Sequence, residues 1–121
     1  MFKSPIVYLE RQDFTATGNL VAGLVRKPAF VMIQSNACGH CTAAKPAFQQ
    51  LAASADGFNC MTIQADGERQ SERDLVSMLP TIYPNFRGYP SYILFRKNKP
   101  RVAYTGPRDA ASMHQFVQNH I

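Results

Sequence analysis

Two cysteines, Cys38 and Cys41, stand three positions apart in the segment ACGHCTAAKP, with Gly39 and His40 between them. Thiols at this spacing can clamp a metal ion, form a structural crosslink, or cycle between dithiol and disulfide as a redox couple. The spacing alone leaves these three alternatives open. The sequence on either side of the pair is therefore needed to choose among them.

A zinc site normally needs about four ligands, which usually come as two CxxC or CxxC/HxxxH pairs. The other candidate ligands are Cys60, His114 and His120, which are scattered along the sequence. With no second pair, we expect no metal. Three cysteines are also too few, and odd in number, for a disulfide scaffold. Cys60, in the apolar segment NCMTIQ, is expected to be a buried core residue.

The apolar pattern after Cys41 predicts a helix that begins at the cysteine pair. Apolar residues recur at helical spacing from Ala44 to Ala55, and Gly57 supplies a stop. Ahead of the pair, Ala29–Ile33 is apolar throughout, which is typical of a central strand covered on both faces. Cys38 would then lie at the amino end of a helix, where free N–H groups and the helix dipole stabilise a thiolate.

This context favours a redox couple in which Cys38 is the nucleophile and Cys41, one turn deeper, resolves the mixed disulfide. Gly39 permits the tight turn. His40 can donate a hydrogen bond or a positive charge to the thiolate, which favours the reduced form and makes the disulfide a better oxidant. We therefore expect an oxidant or isomerase, with no bound cofactor, because the electrons come from partner thiols.

The other segments predict an α/β domain with the element order βαβαβαββα. The predicted strands are Ile6–Leu9, Ala29–Ile33, Cys60–Ile63, Tyr92–Phe95 and Val102–Tyr104. The predicted helices are Thr17–Val25, the segment after the cysteine pair, Glu72–Leu79 closed by Pro80, and a last one introduced by Pro107 and Asp109. Such an order implies a mostly parallel sheet with helices on both faces, made mixed by a terminal hairpin.

Length and composition restrict the partners. The 121 residues fit one domain, residues 1–121, with the 45% hydrophobic content of a globular protein. The basic cluster from Arg96 to Arg101 lies between two predicted strands, where a hairpin turn needs polar residues, so we expect no nucleic-acid partner. The apolar run Ile6–Leu9 is far too short for a signal peptide or a membrane span, so we expect a cytoplasmic protein that does not bind membranes. We also expect a monomer.

The segments CGHC, RGYPSYILF and YTGPRDAA occur in an order and at a spacing that resemble the thioredoxin and protein disulfide isomerase family over nearly the whole chain. The resemblance implies a thioredoxin fold and thiol–disulfide exchange with protein substrates, served by an unidentified thiol reductant or oxidant. It also implies that Pro90 is a cis-proline beside the cysteine pair and that the backbone of Tyr89 binds extended substrates. Arg108 would swing toward Cys41 and lower its pKa.

Three positions depart from the family's pattern. Met32 stands where the family usually carries a buried carboxylate that takes the proton from the second cysteine, Ala37 replaces a usual tryptophan, and Thr42 a common lysine. Two other functions therefore stay open. A cytosolic thioredoxin-like reductant is favoured by the lack of a signal sequence. A binding or assembly module with little catalytic activity is favoured by Met32 and Ala37.

Overall fold

The computed structural model describes residues 1–121 and is built on a five-stranded mixed sheet. Its strands are β1 (Val7–Tyr8), β2 (Ala29–Gln34), β3 (Asn59–Gln64), β4 (Ser91–Arg96) and β5 (Lys99–Tyr104). Across the sheet the order is β1-β3-β2-β4-β5. Strand β3 is parallel to β1 and β2, whereas β4 is antiparallel to β2 and β5. The predicted mixed sheet with a terminal hairpin is confirmed, but the turn is shorter than predicted, because only Lys97 and Asn98 of the basic cluster lie between β4 and β5.

Four helices accompany the sheet: α1 (Gly39–Ser54), α2 (Gln70–Arg73), α3 (Leu79–Ile82) and α4 (Ala110–His120). Helix α1 begins at the cysteine pair, as predicted, with Cys38 as its N-cap residue. Asp109 caps α4, because its carboxylate accepts the backbone N–H of Ser112 at 2.8 Å. None of these helices has the length and apolar character that crossing a bilayer requires.

The central strand β2 is buried on both faces, which explains why it is apolar throughout. Phe30 and Met32 face a core cluster that α1 and α4 cover. The other apolar residues of β2 face a second cluster on the opposite side of the sheet. The chain between β1 and β2 and the helical segments before β4 cover this second cluster. Five large apolar residues of the strands and of α1 are all buried in these two clusters: Phe30, Ile33, Phe48, Ile93 and Phe95.

The predicted helix Thr17–Val25 is wrong. The chain turns sharply here, and Leu20 pairs with Phe14 in an isolated antiparallel bridge. Gly18 has a φ of +83°, and a Cβ atom at this position would come within 2.8 Å of a backbone oxygen. Only Ala22–Leu24 form a single 3-10 turn. The leucine spacing reflects a loop that buries its apolar side chains against the sheet, as Leu20 does, and not a helical face.

The predicted helix Glu72–Leu79 is also different in the structure. Helix α2 starts earlier, at Gln70, and passes into a 3-10 segment, Asp74–Met78. Pro80 does not end the helical region, because it lies in the first turn of the next helix, α3. An N–H in that position has no acceptor within its own helix, so a proline costs little there.

Candidate active site

The cysteine pair lies in the loop that joins the carboxyl end of β2 to the amino end of α1. Cys38 has an extended backbone, with φ −103° and ψ 115°, and its side chain is half-buried. Cys41, in the first turn of α1, is fully buried. Both are free thiols. Of the two sulfur atoms, only that of Cys38 is open to an incoming partner.

The start of α1 directs hydrogen-bond donors at the sulfur of Cys38. The thiol of Cys41 lowers the pKa of Cys38 most, and the backbone N–H groups of Cys41 and His40 lower it further, although burial opposes them. The N–H of Cys41 lies 3.2 Å from the sulfur. The positive charge of Arg108 acts in the same direction. Cys38 is therefore the thiol that forms a thiolate first.

Cys41 has the opposite environment. Burial raises the pKa of its thiol to about 11, and the hydrogen bond that it donates to Cys38 raises it as well. A group with this pKa is almost wholly protonated near neutral pH. The pair is thus asymmetric, with a reactive outer sulfur and a protonated inner one.

The residues before β4 form the other wall of the site. The peptide bond between Tyr89 and Pro90 is cis, and Pro90 is buried. The thiol of Cys38 donates a hydrogen bond to the backbone oxygen of Tyr89 at 3.5 Å. The ring of Tyr89 packs edge-on against Phe86, with 5.3 Å between their centroids. Both rings pack against the second core cluster, and Ala37 is exposed.

The remaining predicted site residues are exposed. His40 contributes its backbone N–H to Cys38. Gly39 has no left-handed φ, and a Cβ atom there would meet nothing within 4 Å, so the turn does not require a glycine. Arg108 acts through its charge on Cys38 and on Tyr92. A direct action of Arg108 on Cys41 stays a prediction.

Asp66, which follows β3, is a residue of this site that the sequence did not reveal. Its carboxylate accepts the hydroxyl of Ser35 at 3.1 Å and the backbone N–H of Asn36 at 3.0 Å. The hydroxyl of Ser35 in turn accepts the N–H of Ala37 at 3.2 Å. These bonds fix the loop immediately before Cys38. No local motif marks Asp66, because it is far from the cysteines in the sequence.

Met32 is fully buried in the core cluster beneath α1, so the position is apolar in this chain. Its partner across the sheet is Tyr92, whose hydroxyl is buried without a hydrogen-bond partner. The buried carboxylate of the chain, Glu72, is engaged by Arg69 at 3.1 Å. No carboxylate is therefore buried beside Cys41.

Cys60 lies in β3 and is buried, as predicted. Burial raises the pKa of its thiol to about 12, so this cysteine stays a protonated core residue. The structure brings no three side chains of the His, Cys, Asp and Glu types together as a metal site.

Comparison with known proteins finds two whose sequences are similar to that of this chain. Thioredoxin-like protein 453L of Invertebrate iridescent virus 6 is 37% identical over 119 residues, which cover 88% of this chain and 86% of that protein. Protein disulfide-isomerase like 2-2 of Arabidopsis thaliana is 31% identical over 85 residues. That match covers 69% of this chain but only 17% of the longer plant protein.

Among solved structures, the crystal structure of the J-Trx1 fragment of ERdj5 is similar to this chain with a TM-score of 0.71 and 28% identity. The similarity covers 95% of this chain and 51% of that fragment. The expected thioredoxin fold is therefore confirmed. Because the Thioredoxin family model also matches residues 7–119, which is most of its length, the chain belongs to the thioredoxin family.

Proposed function

We propose that this chain exchanges disulfides with protein substrates through Cys38 and Cys41. The observation that carries the proposal is the asymmetry of the pair. Cys38 is half-buried with a lowered pKa, whereas Cys41 is fully buried with a pKa of about 11. An exposed thiolate next to a protected thiol is the arrangement that a two-step exchange needs.

The exchange runs in two steps. The thiolate of Cys38 attacks one sulfur of a substrate disulfide, the substrate S–S bond breaks, and the other substrate sulfur leaves as a thiolate. Cys41 then loses its proton to solvent, and its thiolate attacks Cys38 in the mixed disulfide. The bond between Cys38 and the substrate breaks, and the second substrate sulfur leaves as a thiolate. The two electrons of the cysteine pair pass to the substrate, and the pair becomes a disulfide. The reverse sequence oxidises a substrate dithiol.

The proposed direction is oxidation or isomerisation. The support is the side chain of His40 between the two cysteines, because an imidazole that donates a hydrogen bond or a positive charge to the thiolate would stabilise the reduced pair and strengthen its disulfide as an oxidant. The relative named protein disulfide-isomerase like 2-2 also supports it. The proposed partners are extended segments of protein substrates, bound along the backbone of Tyr89 and Pro90, and a thiol reductant or oxidant that resets the pair.

A second candidate function is a binding module that makes little use of its cysteines. It is supported by the high pKa of Cys41 together with Met32, which leaves no carboxylate to take the proton of Cys41. In such a module the first exchange would occur and the second would stall.

Reduction of insulin by dithiothreitol separates these functions. We expect the chain to accelerate the reduction, and both Cys38→Ser and Cys41→Ser to abolish the acceleration. Cys60→Ala is the matched control and keeps it, because Cys60 is buried away from the exchange. A wild-type chain without any effect on insulin would exclude the enzyme and leave the binding module.

A further inference from the structure

A buried hydroxyl without a partner lies in the core cluster beneath α1. Tyr92 is 2% exposed, and its phenol oxygen makes no hydrogen bond. The neighbouring Tyr104, with 6.1 Å between the ring centroids, donates its own hydroxyl to the backbone oxygen of Pro107. Since buried polar groups are nearly always paired, the unpaired hydroxyl of Tyr92 calls for a function.

The position of Tyr92 relates it to the inner cysteine. Along α1, Cys41, Ala44 and Phe48 follow one another at helical spacing and are all buried. Ala44 and Phe48 belong to the same core cluster as Tyr92, and the rings of Phe48 and Tyr92 are 6.1 Å apart. Tyr92 therefore lies beneath the face of α1 that begins with Cys41.

Charges around the site also reach the hydroxyl of Tyr92. Burial raises the pKa of Tyr92 to about 12, the charge of Arg108 works to lower it, and a charge on Cys41 raises it further. At neutral pH Tyr92 is thus a neutral phenol, which can donate its proton in a hydrogen bond without losing it. A thiolate at Cys41 is within its electrostatic reach.

The groups that face Cys41 come from each element around it. Four titratable groups lie around Cys41 itself: Cys38 at the N-cap of α1, Lys45 of α1, Tyr89 before β4 and Tyr92 of β4. Two more, Tyr104 of β5 and Arg108 before α4, act on Tyr92. From β2, Met32 is apolar. Of these, Tyr92 is the buried hydroxyl that is still free to donate.

We propose that Tyr92 is a positioning residue whose hydroxyl donates a hydrogen bond to the Cys41 thiolate during the resolving step. This inference rests on the proposed function. The proton of Cys41 leaves to solvent, and Tyr92 keeps its own. The sulfur of Cys41 then attacks Cys38, the bond between Cys38 and the substrate breaks, and the substrate sulfur leaves with the electron pair. In the dithiol form the hydroxyl of Tyr92 makes no hydrogen bond, so the proposed bond forms only when the inner sulfur becomes a thiolate.

The test follows the resolving step alone. A mixed disulfide between Cys38 and thionitrobenzoate is formed with Ellman's reagent in the Cys60→Ala background. Attack by Cys41 then releases coloured thionitrobenzoate, which stopped-flow absorbance follows from pH 6 to pH 11. We expect Tyr92→Phe to slow the release about tenfold near neutral pH, which corresponds to about one unit in the pKa of Cys41. The ratio of the two rates should become smaller as the pH rises toward 11, where the wild-type Cys41 thiol itself begins to ionise.

Tyr104→Phe is the matched control. It removes a hydroxyl from the same aromatic cluster, but one that is already bound to Pro107. We expect it to leave the pH profile of the release unchanged. An equal loss in Tyr92→Phe and Tyr104→Phe would overturn the inference, since it would reflect packing of the cluster.

A second variant tests the same hydroxyl without removing it. Replacing Tyr92 by 3-fluorotyrosine makes the phenol a stronger donor, so the release should become faster near neutral pH. This result does not depend on whether Tyr92→Phe folds.

The outcomes also separate this inference from the proposed function. A wild-type chain that never releases the second thionitrobenzoate would contradict the proposed exchange itself. A wild-type chain that releases it with the same profile as Tyr92→Phe would overturn only the role of Tyr92.

Discussion

Cys38 and Cys41 carry the same side chain three positions apart, and the start of α1 gives them opposite properties. Cys38 accepts donors from its own helix and is open to solvent on one side. Cys41 has turned into the core, where a thiolate loses its hydration. The chemistry of the site therefore comes from where a helix begins as much as from the residue type.

This difference predicts how the reactivity of Cys38 depends on pH. Because the pKa of Cys38 is lowered, its alkylation by iodoacetamide should reach half its maximal rate at a pH below that of an ordinary cysteine. The largest cause is the thiol of Cys41, so Cys41→Ala should move this midpoint to higher pH. Mass spectrometry of timed samples measures both midpoints. Cys60→Ala is the control and should change neither.

An identical midpoint in the wild-type chain and in Cys41→Ala would contradict this account of Cys38. The lowered pKa would then come from the backbone N–H groups and the charge of Arg108.

At the residue scale, the sequence predicts the local part of the site. Cys38, His40 and Cys41 follow from the motif and from the apolar pattern of α1. Asp66 and Tyr92 reach the site from β3 and β4, through sheet pairing that no local pattern specifies. Tyr92 also looks like an ordinary apolar residue of a buried strand, because an unpaired hydroxyl is visible only once its neighbours are known.

At the scale of elements, the loop between β2 and α1 must be held so that Cys38 caps the helix. Asp66 does this from the end of β3, through Ser35 and the backbone of Asn36. Lys45 adds a hydrogen bond from α1 to the side chain of Asn36 at 2.8 Å. The reactive loop is thus tied to the end of β3 and to α1.

Asp66→Asn tests this support. Burial works to raise the pKa of Asp66, but the donors from Asn36 and Ser35 outweigh it and hold the pKa below its usual range. A lowered pKa in the folded state stabilises the fold above the pKa of the unfolded chain, and this stability is lost as the pH falls through the folded pKa. We expect Asp66→Asn to lower the free energy of unfolding by about 1 kcal/mol at pH 7, and by much less near pH 2.

Urea unfolding at the two pH values measures the effect. Asp56→Asn is the matched control, because Asp56 is exposed and its carboxylate makes no hydrogen bond within the protein. A loss at pH 7 that equals the loss near pH 2 would show that the charge of Asp66 is not what holds the loop.

Elements with a clear period are predictable from the sequence, whereas irregular ones are not. The strands β2, β3 and β4 and the helices α1 and α4 follow from apolar runs, helical spacing and caps. The segment Thr17–Val25 has the apolar spacing of a helix, although it is a loop whose leucines pack against the sheet. Pro80 marks a helix start here, and a proline fits both a start and a stop.

At the scale of the whole molecule, the mixed sheet brings distant residues to one end of β2. The crossover through α1 places the cysteine pair there, and the antiparallel β4 brings Tyr89 and Pro90 back to it. Strand β5 and the segment before α4 then deliver Arg108. The expected cytoplasmic location and monomeric state stay predictions.

The reduction potential of the Cys38/Cys41 pair tests the central claim most directly. The Cys60→Ala chain is equilibrated in glutathione buffers of known ratio and quenched by alkylation, and its free thiols are counted by mass. We expect two thiols to be lost together, with a midpoint near ~−180 mV, the value of protein disulfide isomerase. A midpoint near ~−270 mV, the value of thioredoxin, would contradict the proposed oxidising role. A chain in which the pair never forms a disulfide would contradict the exchange itself.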